Sequence, residues 1–281
     1  QMATINTACH FGMERELGSI TPGRRADFIV TSSINDLPID VVFARGERVA
    51  ENGKLLTKCP HYEWPQTVRK TVNLGKKLEL KDFVISVPTG LSSVKAKVIG
   101  VIENQAPTKA LEFDLPVKQG KVQVEGDVCY LSLVERHRGT GAVVNGFVSG
   151  FGYTGSMAIA SSVAHDSHHM IVVGTNQEMM ACAANRLGEV GGGVSLWKDG
   201  SEVALVELPI AGLMSDSKAS DVAVKAQAIV SAMIDCGCTL NNAYMQHTLL
   251  ALVVIPELRI SDLGLVDVNR FELTKIIETN F

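Results

Sequence analysis

The sequence has no paired Cys-x-x-Cys motif, no Gly-x-x-x-x-Gly-Lys-Ser/Thr phosphate loop, no internal repeat and no low-complexity tract. It also has no apolar run of the about 20 residues that a membrane-crossing helix needs; Leu249 to Pro256 is apolar but far too short. Aromatic residues make up 5% of the chain and no basic patch is present, so nucleic acid is not an expected partner. The six cysteines are scattered, mostly in apolar settings such as Cys129 and Cys182, which suits buried small side chains in a reducing cytoplasm. Cys236-Gly237-Cys238 has no second pair to complete a metal set, and Cys59 with His61 lacks two further ligands nearby.

What remains is a chain of 281 residues with a net charge of -4 and ordinary apolar and charged fractions. That length holds one large domain or two ordinary ones. Its most unusual stretch is Ser161-Ser162-Val163-Ala164-His165-Asp166-Ser167-His168-His169, where three of the seven histidines fall within five residues. Apolar runs at Met157–Val163 and Met170–Val173 flank it. The cluster therefore reads as a polar connection between two buried strands, a usual location for binding and catalytic groups. Two readings stand. His and Asp hold metals, move protons or orient bases; adjacent histidines on a loop are also found merely solvated or bonded to strand ends.

Residues 2 to 12 read as a helix stub that Gly12 ends with a left-handed cap. It resembles the end of a buried helix more than a chain start, so the expectation is the C-terminal part of a longer protein. Pro22-Gly23 marks a turn, Asp27 opens a buried strand over residues 26 to 31, and further strands at Val41–Ala44 and Arg48–Ala50 are separated by turns at Arg45-Gly46 and Asn52-Gly53. Residues 57 to 85 read as an extended connector. Beyond it come strands at Val94–Ile102, Lys121–Glu125 and Val128–Val134. The charged, glycine-bearing segment Glu135-Arg136-His137-Arg138-Gly139-Thr140-Gly141 follows. Thr175-Asn176-Gln177-Glu178 reads as a capping box that opens a helix ending near Gly188. Asp199-Gly200 marks a hairpin. Lys218 to Cys236 reads as an amphipathic helix with Val222, Ala226, Ile229, Val230 and Met233 as its buried stripe. His247, a lone histidine opening an apolar run, reads as structural. A short element closes the chain near Phe281.

Two ordered strings of motifs carry a resemblance. Leu17-Gly18-Ser19-Ile20-x-Pro22-Gly23-x-x-Ala26-Asp27-Phe28-Ile29-Val30, then Val42-x-x-x-Gly46-x-x-Val49-Ala50-x-x-Gly53, resembles the tail of the metal-dependent amidohydrolase superfamily. Glu135-Arg136-His137-x-Gly139-Thr140-Gly141, Gly146-Phe147-Val148-x-Gly150-Phe151-Gly152, Ser161 to His168, Gly191-Gly192-Gly193 and Pro209-Ile210-Ala211-Gly212-Leu213-Met214-Ser215 resemble, in that order, the C-terminal domain of bacterial adenine deaminases.

The resemblance implies an α+β chain. Residues 1–18 would end the last helix of a TIM barrel, 19–56 would supply strands of a small β-sandwich, 57–85 a connector and 86–281 the appended α+β domain. The barrel itself would lie upstream. The implied reaction is hydrolysis of adenine to hypoxanthine and ammonia in purine salvage, by hydroxide on a divalent metal, manganese or iron. The superfamily's His-x-His metal motif is absent here, so the resemblance places the metal on residues before Gln1 and none on this chain. His165, Asp166 and His168 become accessory catalytic candidates, with Glu135, Arg136 and His137 as substrate-binding candidates; the alternative is that both groups brace a domain interface. Adenine, the upstream barrel and further copies of the chain in a homo-oligomer are the implied partners, in the cytoplasm. Other aminopurines or cyclic amides, or a non-catalytic assembly role, remain as alternatives.

Overall fold

The computed structural model describes residues 1–58, 60 and 62–278. Cys59 and His61, and the chain end at Phe281, lie outside the described residues. The chain divides into two compact units, Gln1–Glu63 and Trp64–Phe281, and its secondary structure is mixed α+β.

In the first unit a short helix, α1 (Ile5–His10), precedes four strands: β1 (Phe28–Val30), β2 (Val41–Ala44), β3 (Glu47–Glu51) and β4 (Lys54–Leu55). They form one antiparallel sheet in chain order. The two hairpin turns have paired positive φ angles, 53° and 81° at Arg45-Gly46 and 48° and 74° at Asn52-Gly53, the geometry that matches strand twist in two-residue hairpins. Phe28 lies opposite Phe43 and their rings stack at 4.6 Å. The expectation of a buried strand after Asp27 fails. Ile29 and Val30 are 51% and 43% exposed, and Ala8 is the only fully buried hydrophobic residue among the described residues of this unit. The reason is physical: a four-stranded sheet of two- to five-residue strands is too small to bury its apolar residues by itself.

The second unit is built on a ten-stranded sheet. Its strands are β5 (Ser93–Val101), β6 (Thr108–Lys118), β7 (Lys121–Val122), β8 (Val128–Val134), β9 (Val143–Ser149), β10 (Met157–Ser161), β11 (Met170–Gly174), β12 (Gly193–Lys198), β13 (Ser201–Glu207) and, after a separate three-stranded sheet of β14 (Leu258–Ser261), β15 (Gly264–Asp267) and β16 (Glu272–Thr274), the closing β17 (Ile277–Glu278). The spatial order is β13-β12-β10-β11-β8-β9-β5-β6-β7, with β17 on β5; all pairs are antiparallel except β5 with β9. Among the described residues four α-helices accompany it, α2 (Gln66–Arg69), α3 (Gln177–Val190), α4 (Ala219–Asp235) and α5 (Ala243–Leu249), with a 3-10 turn at Leu80–Phe83.

The central strands are apolar along their whole length because both sheet faces are covered. Alternate residues enter two cores. Cys129, Leu131 and Leu133 of β8 face α4, α5 and the small sheet, whereas Val128, Tyr130 and Val134 face α3. The second core also takes in Leu74, Leu78, Phe83 and Ile85, so the stretch read as connector is partly interior.

Local corrections follow the same logic. The cap of α3 is Asn176, whose side chain accepts the N–H groups of Glu178 at 2.9 Å and Met179 at 3.1 Å; Thr175 instead bonds Met157 and Gly155. The helix runs past Gly188 to Val190 and stops at Gly191, whose φ is 84°. On α4, Ile229 and Met233 are buried as expected, joined by Ala232, but Ala226 is exposed and Val230 is 43% exposed. That helix is apolar nearly all round, so its sequence does not fix which side faces the core.

Candidate functional site

The register of β8 against β11 explains where the site forms. Val134, the last residue of β8, pairs with Met170, the first of β11. The segments just beyond them, Glu135–Gly141 and Ser162–His169, therefore leave the sheet at the same end. The two polar motifs become neighbours although they lie far apart in sequence.

Glu135 organises the first loop. Its carboxylate accepts the backbone N–H groups of His137 (2.5 Å), Arg138 (2.7 Å) and Thr140 (3.0 Å), and the Thr140 hydroxyl (3.0 Å). Burial alone would raise its pKa, but these four donors outweigh it and hold the carboxyl down at about 2. Because this pKa is depressed, the stabilisation is complete above the usual carboxyl value and is lost as pH falls toward 2. Glu135→Gln is expected to destabilise the protein by on the order of 2 kcal/mol at neutral pH, allowing for some solvent screening, and to leave it unaffected at pH 2. Chemical denaturation at the two pH values checks this; an equal loss at both would reject the charge-based account.

Arg136 joins three loops from the inside. It is 1% exposed. Its Nε donates to the carbonyl of His168 at 2.5 Å, Nη1 and Nη2 to that of Ala211 at 3.3 Å, and Nη2 to that of Ser162 at 3.5 Å. No carboxylate pairs with it among the described residues, and burial draws its pKa down to about 10, so it stays charged near neutrality. A Cβ on Gly212 would stand 2.7 Å from Nη1, which is why the third loop needs glycine there. These contacts tie the segments that carry Ser162, His168 and Ala211 to one side chain.

In the second loop His168 has a left-handed backbone (φ 50°) and its Nδ1 accepts the Ala164 N–H at 3.3 Å. Its ring meets that of His165 edge-on at 5.3 Å. Burial, then the neighbouring His165 and Arg136, lower the His168 pKa. Asp166 is exposed at the loop tip. His137, also exposed, donates from Nε2 to the Ser167 carbonyl at 2.9 Å and so ties the two loops together. The structure thus brings all six candidates to one end of the sheet: His165, Asp166 and His137 reach solvent, and Glu135 and Arg136 are internal.

Sequence reasoning missed Asp262, in the turn between β14 and β15. Its Oδ2 stands 3.7 Å from Nε2 of His169, whose ring lies 4.8 Å from that of His137. Nothing in a Ser-Asp-Leu-Gly turn signals this placement. Among the described residues no three His, Cys, Asp or Glu side chains converge in a way that would hold a metal ion.

Comparisons with known proteins place the chain among named relatives. The model for the adenine deaminase C-terminal domain matches residues 105–272, and the amidohydrolase family model matches residues 1–49. The adenine deaminase of Ruegeria pomeroyi is 68% identical over 281 residues, which is 99% of this chain and 47% of that protein. The adenine deaminase of Roseobacter denitrificans is 68% identical over 279 residues, 99% of this chain and 46% of that protein. That of Moorella thermoacetica is 42% identical over 279 residues, 99% and 47%. The chain spans about half the length of the curated relatives it matches. The motifs from Glu135 to Ser215 fall within residues 105–272, and the chain belongs to the adenine deaminase C-terminal domain family.

Proposed function

We propose that this chain is the C-terminal part of an adenine deaminase, which hydrolyses adenine to hypoxanthine and ammonia in purine salvage. The observation that carries the proposal is 68% identity, over 99% of the chain, to a protein named adenine deaminase. Amidohydrolases use a divalent metal, here proposed as manganese or iron. The described residues do not fit it, since no three ligands converge, so its ligands are assigned to residues upstream of this chain.

The two loops are proposed to face the mouth of an upstream barrel. His165 and Asp166, which reach solvent, would contact the substrate side or pass a proton, with His168 orienting His165. His137 would contact substrate directly, while Glu135 and Arg136 hold it and the His165 loop in place. The exposed apolar residues of the first unit, such as Ile20 at 82% and Ile34 at 85%, support a covering barrel for that unit. Exposed Val224 and Ile234 on α4 support a homo-oligomer, and the five free cysteines among the described residues support a cytoplasmic location. Sedimentation of the longer protein as a monomer at high concentration would remove the oligomer.

The test is adenine turnover, followed by ammonia release, with manganese or iron supplied. Residues 1–281 alone are expected to be inactive and the protein carrying the upstream segment active. His165→Ala or His168→Ala is expected to lower kcat there by about tenfold or more, in the range of lost acid–base assistance. Turnover unchanged in both variants, with only lower thermal stability, would leave the cluster as a brace. Turnover of another aminopurine in place of adenine would move the substrate and keep the superfamily.

A further inference from the structure

A cleft of about 350 Å³ opens between the Glu135–Gly141 loop and the β14–β15 turn, within the second unit. The volume is at the lower end of the about 300–1,000 Å³ typical of small-molecule sites. Leu133 and Val144 supply apolar wall, and His137, His169, Arg138 and Asp262 supply polar groups.

The lining narrows what can bind. A metal ion is disfavoured, because three ligands do not converge and a guanidinium shares the cleft. An anion is disfavoured, because Glu135 lines the cleft as a fixed carboxylate and Asp262 stands beside it. A neutral, flat molecule meets neither objection.

The polar groups also ask for a partner. The His169 side chain is 10% exposed, and its buried Nδ1 has no hydrogen-bond partner among the described residues. Its Nε2 lies 3.7 Å from Asp262 Oδ2, beyond direct hydrogen-bond range. A ligand edge placed about 2.9 Å from each closes a triangle over that gap, donating to the carboxylate and accepting from the imidazole. The His137 ring, tilted by 54° to that of His169, gives an aromatic face beside this edge. The Arg138 guanidinium makes no hydrogen bond or ion pair among the described residues and is free to lie against a ring or to meet an acceptor.

We propose that this cleft binds a purine base through an edge carrying a donor beside an acceptor, with Asp262 taking the donor, His169 meeting the acceptor and His137 stacking. Adenine presents such an edge with its amino group and a ring nitrogen; hypoxanthine does so with a ring N–H and its carbonyl. The choice of these two bases rests on the adenine deaminase reading, whereas the requirement for a flat neutral donor–acceptor edge rests on the cleft alone.

The experiment uses residues 1–281, titrated with adenine and with hypoxanthine and read from the imidazole C2–H resonances of His137 and His169. Saturable one-to-one shifts of both resonances are expected. Asp262→Asn, at an exposed turn, is expected to weaken binding at least tenfold, and Glu112→Gln, on exposed β6, to leave it unchanged. Benzimidazole, which keeps the flat ring but lacks the amino group, is expected to bind at least tenfold more weakly than adenine. Absence of saturable shifts, an unchanged affinity in Asp262→Asn or equal binding of benzimidazole overturns the inference. The two proposals fail separately. Adenine turnover by the longer protein with a silent cleft removes this site and keeps the function; base binding here without any turnover of adenine keeps the site and removes the function.

Discussion

Arg136→Met is expected to lower the unfolding free energy by about 3 kcal/mol, as a drop in urea midpoint with an unchanged slope. Methionine approximates the length of the side chain but donates nothing. The carbonyls of His168, Ala211 and Ser162 then lose a charged donor inside a closed junction. An unpaired buried acceptor costs about 1–3 kcal/mol, and two of the three contacts are near or within good bonding distance. One effect opposes this: a guanidinium without a carboxylate partner is itself expensive to bury, so removing it returns part of the loss. The acceptors outweigh that return because they sit on three separate loops that a single fork holds in register. Arg136→Lys is expected to recover only part of the stability, since one ammonium group cannot span acceptors on three segments. Amide exchange in residues 162–169 and 211–215 should accelerate in Arg136→Met before that of β8 or β11. A stability within about 0.5 kcal/mol of the parent would mean that water replaces the fork and that the junction does not depend on it.

How much of this was readable beforehand depends on how local each signal was. The strands read at Val128–Val134 and Met170–Val173 stood out because strands covered on both faces are unbroken apolar runs. The hairpin turns stood out because Asn-Gly, Arg-Gly and Asp-Gly pairs are short-range chemistry. β6 did not, since Lys109, Glu112 and Asp114 interrupt its apolar residues and Pro116 argues against a central strand; it sits near the sheet edge, where such a pattern is tolerated. The site itself divides the same way. Its two loops were found as motifs, but their meeting depends on the pairing of Val134 with Met170, a long-range register that no local pattern encodes. Asp262, and Arg259 buried against the carbonyls of Leu249 and Ile255, were invisible for that reason. Arg136 was legible as a candidate residue, but its burial was not, because the carbonyls of His168, Ala211 and Ser162 reach it from separate loops.

His247 is expected to make the protein acid-labile well above the range in which its carboxylates titrate. The side chain is completely buried in α5, near the Phe151 ring at 6.4 Å, and neither ring nitrogen has a hydrogen-bond partner of good geometry. Burial disfavours the imidazolium and pulls the pKa down to about 4, with the Ile159 backbone opposing weakly. In the unfolded chain the group titrates at about 6.5. Between these values the unfolded state binds the proton and the folded state does not. Stability is therefore complete above the unfolded value, falls as pH drops through the window, and stops falling once the folded form also protonates. The loss attributable to this residue is about 2 kcal/mol at pH 5 and about 3 kcal/mol by pH 4. His168 and His169, also lowered, act in the same direction, so the residue is isolated by difference. His247→Phe keeps a flat ring beside Phe151 and removes the titration. Its stability relative to the parent should improve by about 2 kcal/mol between pH 7 and pH 5, whatever its packing cost at pH 7. Glu135 cannot produce this result, because its own window lies below the ordinary carboxyl value and ends near pH 2. Parallel pH profiles for the parent and His247→Phe would show that the imidazole is solvated or protonated in the folded state, and that its burial does not govern the acid limb.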